Sequence, residues 1–388
     1  MRGSIITGTI ELKFMDNQFQ PPKDVSKSSP LDKIKGILLS KPPRKRLIIV
    51  TIASLLSLVV GLAALAAFGP EAAEPDPIAV IESTYVAPPV LEASPLTGVE
   101  VSPELAARPV TGIMIENSID ARPQSGLQEA GVVFEAIAEG GITRFLALFQ
   151  ESTPGNIGPI RSARPYYVEW AAGFDAAYVH SGGSGEALAL IRSLGVKDLD
   201  HGNFADQIAS RVSSRFAPHN VYTSMERIDG VRNAQGFTSS TFTAFARKEA
   251  VPPTPEAPAT ASKISFDISG ANYNTSYTYN AETNTYARVM AGLPHKDQDT
   301  GKQITPSVVV ALVTTYGYHS NGIHSVYKTT GTGEVMVFQD GDIQKGTWSK
   351  SSQTASLEIL DSKGKPMELN PGQTWITAIP SGRVSYTP

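Results

Sequence analysis

The sequence predicts an α/β N-terminal domain and a mainly β C-terminal domain, both extracytoplasmic and both following a single transmembrane helix. Three observations carry that reading. An uncharged apolar run, Leu47 to Phe68, sits behind a basic flank. Strand and helix patterns alternate between residues 95 and 248. From residue 263 onward the pattern is of strands joined by tight turns.

The apolar run comes first. "LIIVTIASLLSLVVGLAALAAF" spans Leu47–Phe68 without a charge, and a helix needs roughly 20 apolar residues to cross the hydrocarbon core. "KPPRKR" (Lys41–Arg46) precedes it and the acidic "EAAEPDP" follows soon after. Positive charge stays on the cytoplasmic side, which puts the N-terminus inside and residues 69–388 outside. The run exceeds a signal-peptide core and its polar leader is long, so a retained anchor is expected, with the lipid bilayer as its partner. Residues 1–46 read as a disordered cytoplasmic tail and residues 69–94 as a Pro/Ala/Glu spacer. No cysteine occurs, which removes disulfides, thiolate chemistry and a lipid-bearing cysteine from these residues. A formal net charge of −4 gives no sign of nucleic-acid binding.

Between residues 95 and 248 the elements alternate. "VTGIMIEN" (Val110–Asn117), "GVVFEAIAE" (Gly131–Glu139), "ITRFLALFQ" (Ile142–Gln150) and "DAAYVH" (Asp175–His180) have the apolar continuity of strands. "PYYVEWAAGF" has helical spacing with Pro165 in its first turn, where a missing N–H is harmless. "GEALALIRSLG" is a second helix, with Ser184 placed to cap it and Gly195 to close it. Such alternation argues for an α/β layer. "EAVPPTPEAPATA" begins a linker, placed at residues 249–262. After it, "YTYNAETNTYARV" (Tyr277–Val289) reads as a hairpin and "SVVVALVTT" (Ser307–Thr315) as a buried strand. "EVMVFQDGDIQKGTW" carries Asp340-Gly341, a strong two-residue turn, and "LEILDSKGKPMEL" repeats the pattern around Lys363-Gly364. "TWITAI" (Thr374–Ile379) is the last strand. Pattern alone leaves open whether residues 263–388 form a separate domain or extend the first sheet.

The chemistry concentrates at one junction. In "YVHSGGSGEAL" a strand meets a turn, Ser181, Gly182, Gly183 and Ser184, and then a helix. A helix N-terminus has unsatisfied N–H groups and a positive dipole end, which favour an anion. A capping serine contributes about 1 kcal/mol with no ligand at all, so a plain turn explains the stretch too. Arg144, Arg161 and Arg164 lie beside apolar strands. Their planar forks suit phosphate or carboxylate, and burying them demands partners, for which Glu135 and Glu139 are at hand. Anion binding and internal pairing both stand. His180 ends a strand, and His219 and Asn220 in "APHN" fit either a cleft rim or a turn. The expected ligand-binding set is thus Arg144, Arg161, Arg164, His180, Ser181, Gly182, Gly183, Ser184, His219 and Asn220, with no catalytic residue assigned. "HKDQD" (His295, Asp297, Asp299) reads as a solvated loop, and His319 and His324 lack a third partner, so no metal and no cofactor is expected. The nucleophile-elbow, zinc-protease, P-loop and dinucleotide signatures are missing.

Several strings taken together resemble a known family. "ARPQSGLQEAGVVFEAIAEGGITRFLALFQ", "IGPIRSARPYYVEWAAGFDAAYVHSGGS", "RFAPHNVYTS", "GLPHKDQDTG" and "VFQDGDIQKGTWSK…LNPGQTWITAIP" are similar to the YerB-like family of bacterial envelope proteins, from about Ser94 to Pro380. The resemblance implies a two-part extracytoplasmic protein of a bacterial cell membrane and transfers no established reaction. Many relatives carry a lipid on a cysteine; this chain has an apolar run instead. "FLALF…IGPIRSARPYYVE…DAAYVHSGGSGEALALIRSLGV" is also similar to the LytR-CpsA-Psr family, which transfers lipid-linked glycopolymers. That likeness implies arginines on a pyrophosphate and acidic residues on a divalent metal. Here Ser162 follows Arg161 and no acidic residue flanks Arg144, so the anion cradle matches and the metal site does not.

The expectation is a membrane-anchored envelope protein that binds an anionic cell-wall polymer, a lipid-linked pyrophosphate or a partner protein. The alternatives are a glycopolymer transferase and a purely structural scaffold. Arginines converging on an open cleft would favour anion binding; arginines each matched by a carboxylate would favour scaffolding.

Overall fold

The computed structural model describes residues 44–68, 89–249 and 259–388, in two units, Met1–Tyr85 and Val86–Pro388. Most of the expected tail, the spacer up to residue 88, and linker residues 250–258 lie outside the described residues.

In the first unit one helix is described, α1 (Arg44–Phe68), and it contains the apolar run. Its described side chains are those of residues 53–64 and 67, all exposed. Among the described residues no helix is long and apolar enough to cross a membrane. The stretch of α1 whose side chains are described is shorter than the roughly 20 residues a span needs. The transmembrane expectation therefore does not follow from the described residues.

The second unit is built on one ten-stranded sheet. Its strands are β1 (Thr111–Glu116), β2 (Val132–Glu139), β3 (Ile142–Phe149), β4 (Ala177–His180) and β5 (Lys197–Asp200) from before the linker. A smaller sheet follows, from β6 (Lys263–Phe266), β7 (Thr275–Asn280), β8 (Thr285–Met290) and β9 (Leu293–Pro294). Then come β10 (Val308–Val313), the hairpin β11 (Tyr316–Tyr318) and β12 (Ser325–Tyr327), β13 (Gly331–Gln339), β14 (Asp342–Lys350), β15 (Glu358–Leu360), β16 (Thr374–Ile379) and β17 (Val384–Thr387). The large sheet runs β15-β14-β13-β10-β16-β2-β3-β1-β4-β5, and the small one β9-β8-β7-β6-β17.

This order answers the question the pattern left open. Thr374–Ile379 pairs in parallel with both β2 and β10, and all six of its residues are buried. The segment after the linker thus supplies half of the large sheet, and one hydrophobic core draws on residues from Leu96 to Ile379. A strand flanked on both sides in a sheet covered on both faces is uniformly apolar. That is why β2, β3, β10 and β16 read as continuous runs.

Each face of the sheet has its cover. Helix α2 (Pro165–Ala172) lies over β2, with Trp170 stacked on Phe134 at 5.0 Å and Tyr167 Oη 3.1 Å from the Ala136 N–H, which donates to it. The small sheet covers the opposite face, where its Tyr277 and Arg288 meet Trp375 and Glu135. Helix α3 (Gly185–Leu194) is capped by Ser184, which accepts from the Ala187 N–H, and ends at left-handed Gly195. The Asp340-Gly341 turn forms with both residues at positive φ (57° and 74°), as a two-residue hairpin requires. Around Lys363-Gly364 a turn forms, but the expected return strand is reduced to a single bridge between Leu360 and Pro366. Helix α4 (Met225–Ala234), capped by Ser224, has a polar pattern that gave no sequence expectation of a helix.

Candidate functional site

Strands β1, β2, β4, β5, β10 and β16 all point the same way, because β3 is antiparallel to both β1 and β2 and the other contacts are parallel. Their carboxyl ends form one edge, the place where open α/β sheets bind ligands. Glu116 ends β1, Glu139 ends β2, His180 ends β4 and Asp200 ends β5. Nearly all of the expected residues gather along this edge, in three clusters.

The first cluster is the Gly-Ser turn. Asp200 Oδ1 accepts from the Gly182 N–H at 2.8 Å and from the Gly202 N–H at 3.0 Å. His180 is buried, with Nε2 2.9 Å from Asp198 and Nδ1 2.8 Å from the Gly182 carbonyl. Gly183 bridges to Ala163, and Ser181 Oγ lies 3.3 Å from His201 Nδ1. The anion this turn holds is a carboxylate of the same chain. An external anion at this turn would meet Asp200.

In the second cluster Glu116, almost wholly buried, faces Arg161 and His219. Glu116 Oε1 accepts from Ser118 Oγ at 3.0 Å and lies 3.0 Å from His219 Nδ1 and 3.3 Å from Arg161 Nε. Ser118 Oγ lies 3.2 Å from the same His219 nitrogen. A hydrolytic relay needs the serine and the acid on opposite ring nitrogens within hydrogen-bond reach; here Ser118 and Glu116 both crowd Nδ1, and the acid on the other side, Asp120, is exposed and 3.9 Å from Nε2.

The third cluster joins Arg144 and Arg164 through Glu139. Arg144 Nη2 donates to Glu139 Oε1, and Arg164 Nη2 donates to Oε2 at 2.7 Å. Their other Nη groups donate to the Ser162 and Ala163 carbonyls, each at 2.8 Å. The arginine side chains are 3% and 8% exposed and the glutamate 25%. Burial alone would raise the Glu139 pKa, but the two guanidiniums beside it hold it below the usual carboxylate value.

Asn220 stands apart. It bonds Arg211, Val212 and Arg215 within its own loop and touches none of the other candidates. It closes the loop, as the turn reading expects.

One polar centre escaped sequence reasoning. Glu135 does not pair with the three arginines; it accepts from Arg288 Nη2 at 2.7 Å, Trp375 Nε1 at 3.0 Å and Thr143 Oγ1 at 3.1 Å, and both charged residues are fully buried. Arg288 Nε donates to His295 Nδ1 at 3.0 Å, and His295 Nε2 meets Gln124 Oε1 at 3.0 Å. "HKDQD" is therefore not a solvated loop: His295 and Asp297 are buried, and Asp297 accepts from the Asp299 and Thr300 N–H groups. Burial first, and Arg288 and Arg122 after it, push the His295 pKa well below the ordinary imidazole value. The signal was the alternation of "TYARVM", which turns Tyr286, Arg288 and Met290 inward together. His319 pairs with Glu186 at 2.7 Å, and among the described residues no three His, Asp or Glu side chains gather to hold a metal.

Comparisons with known proteins bear on most of the second unit. Residues 96–238 match the N-terminal domain, and residues 264–376 the C-terminal domain, of a protein family of unknown function, DUF3048. The chain is 30% identical over 292 residues to "Putative lipoprotein YerB" of Bacillus subtilis (strain 168), covering 74% of this chain and 86% of that protein. It is also similar to the crystal structure of the YerB protein from Bacillus subtilis, with a TM-score of 0.69 and 28% identity over 77% of this chain and 100% of that one. The likeness to the LytR-CpsA-Psr family is not shown by these comparisons.

Proposed function

This chain belongs to the YerB-like, DUF3048 family, and on that premise we propose that it is a membrane-tethered, extracytoplasmic component of the bacterial envelope that acts by binding rather than by catalysis. Its Bacillus relative is named for lipid attachment. These 388 residues hold no cysteine to carry a lipid. The uncharged run Leu47–Phe68, within α1, takes over the tethering role in this reading, with the folded unit outside.

The observation that carries the binding reading is the state of the carboxyl edge. Glu116, Glu139 and Asp200 each engage an arginine, a histidine or a backbone amide of the chain itself. A transferase needs a free acid, base or metal-holding carboxylate there. Engaged carboxylates suit a preorganised surface that docks a partner or wall component.

Two measurements test this. Protease added to intact protoplasts is expected to degrade the unit from Val86 to Pro388; protection until lysis would reverse the orientation. Full-length protein incubated with a polyprenyl-pyrophosphate-linked glycopolymer and magnesium is expected to transfer nothing. Transfer would restore the enzymatic alternative.

A further inference from the structure

We propose that Glu139 is an internal stand-in for an external anion, and that Arg144 and Arg164 form a site for a phosphate or pyrophosphate group that takes its place. The proposal rests on the binding reading above and gives that reading a site and a ligand chemistry.

Charge points there first. Two nearly buried guanidiniums share one carboxylate, so the immediate contact set carries an excess positive charge. The nearby acids are engaged elsewhere: Glu116 with Arg161 and His219, Asp198 with His180, and Asp200 with the turn amides. Hydrogen bonding points the same way. Nε of Arg144 and Nε of Arg164 are buried without a partner. The hydroxyl of Tyr178, buried and within electrostatic reach of both arginines, also lacks one. A carboxylate brings two oxygens to this set, whereas a phosphate brings more oxygens and more charge. Position agrees with both. The arginines belong to the floor, in β3 and at the start of α2. The glutamate belongs to the mouth, followed by Gly140 and Gly141, both at positive φ (57° and 78°), with nothing within 4 Å of a Cβ added at Gly140. The group that can leave without disturbing the core is the carboxylate.

The fold holds its own control. Asp229 also bridges two arginines, Arg108 and Arg232. There too the arginines donate to backbone carbonyls, Arg232 to Pro109 and Arg108 to Gln150, and Arg232 Nε is buried without a partner; Arg232 adds a bond to Thr111 Oγ1, and the clusters differ chiefly in position. That cluster lies at the amino end of β1, away from the edge where ligands bind.

The test uses the full-length chain in neutral detergent with inorganic pyrophosphate as probe. Glu139→Gln should melt several degrees below wild type in chloride and recover when millimolar pyrophosphate is added. Asp229→Asn should also melt lower and should not recover. Calorimetry should show Glu139→Gln binding pyrophosphate about ten-fold more tightly than wild type, since a competing charge-assisted contact is gone. The double variant Glu139→Gln/Arg164→Lys should lose the recovery. A polyprenyl pyrophosphate in vesicles, compared with plain vesicles, separates a lipid-borne source from a free one; binding in either arm supports the site. If pyrophosphate in neither form rescues Glu139→Gln beyond Asp229→Asn, Glu139 is a structural partner and the proposal is overturned. Protoplast topology and the absence of transfer would be untouched by that result.

Discussion

Glu135 and Glu139 lie four residues apart on one strand and have opposite fates. Regular alternation would turn both to the same face. Between Ile137 and Glu139 the register with β3 slips by one residue, a bulge of the kind that re-aims a side chain. Glu135 therefore faces the small sheet and pairs with Arg288 in a fully dry core, while Glu139 faces the α2 side and reaches Arg144 and Arg164 at the sheet edge. The same two chemical groups serve as a keystone in one place and as an openable contact in the other. What separates them is solvent: the first pair is wholly buried, and the second lies under a quarter-exposed carboxylate.

The keystone should break hardest. Removing one partner of a buried ion pair leaves an uncompensated charge and costs about 3–5 kcal/mol. Arg288→Met is therefore expected to lower the urea midpoint more than any change at the edge, because it leaves the buried Glu135 charge without its cation and removes the donor from His295 Nδ1 and the Tyr277 hydroxyl. The double variant Glu135→Leu/Arg288→Met should recover much of that loss, since neither charge then remains in the core. Equal effects of Arg288→Met and Glu139→Gln in urea would erase the distinction between the two sites.

A smaller effect should separate them by pH. His295 is held neutral by burial, so its folded pKa lies below the unfolded value. In the interval between the two values the unfolded chain binds the extra proton. Stability is then full above about pH 6.5 and falls as acid is added, by up to about 1.4 kcal/mol per pH unit. Glu139 also has a lowered pKa, so its contribution is present at neutral pH and is lost only as pH falls through the carboxylate range, near 4. In thermal melts from pH 7 to pH 5 the His295 share is read as the difference between wild type and His295→Gln, because the raised carboxyls of Glu129 and Glu169 act in the opposite sense. The decline over that range should flatten in His295→Gln, and Glu139→Gln should leave the slope unchanged. A slope that survives in His295→Gln would place the titrating group elsewhere.

How much of this was legible depended on the range of the forces involved. The strands at Val110–Asn117, Gly131–Glu139, Ile142–Gln150 and Ser307–Thr315, and both caps of α3, are set by local pattern, and each formed where expected. The edge arginines were legible as a group because buried guanidiniums require partners. Their partners were legible only in part: Glu139 was rightly named, but the bulge that separates it from Glu135 leaves no local sequence signal. Arg288 and His295 lie more than 100 residues from Glu135 in the chain, and only the fold brings them to it. Phe216, 92% exposed, contributes its carbonyl to the turn, accepting from the His219 N–H.

The smallest expected effect bears on whether the two halves are held by the keystone or by the chain between them. A specific protease site inserted between Thr254 and Pro255 allows the linker to be cut after folding. Thr374–Ile379 lies between β2 and β10, and Glu135 and Arg288 pair across the cut. The two pieces should therefore remain together on a native gel, with a melting temperature close to that of uncut protein. Arg288→Met supplies the sharper arm. If the buried pair is what locks the small sheet onto the large one, the cut variant should separate at a urea concentration where the cut wild type still holds. If cut wild type falls apart in plain buffer, the linker rather than the shared sheet joins the halves, and Glu135 loses its standing as a keystone.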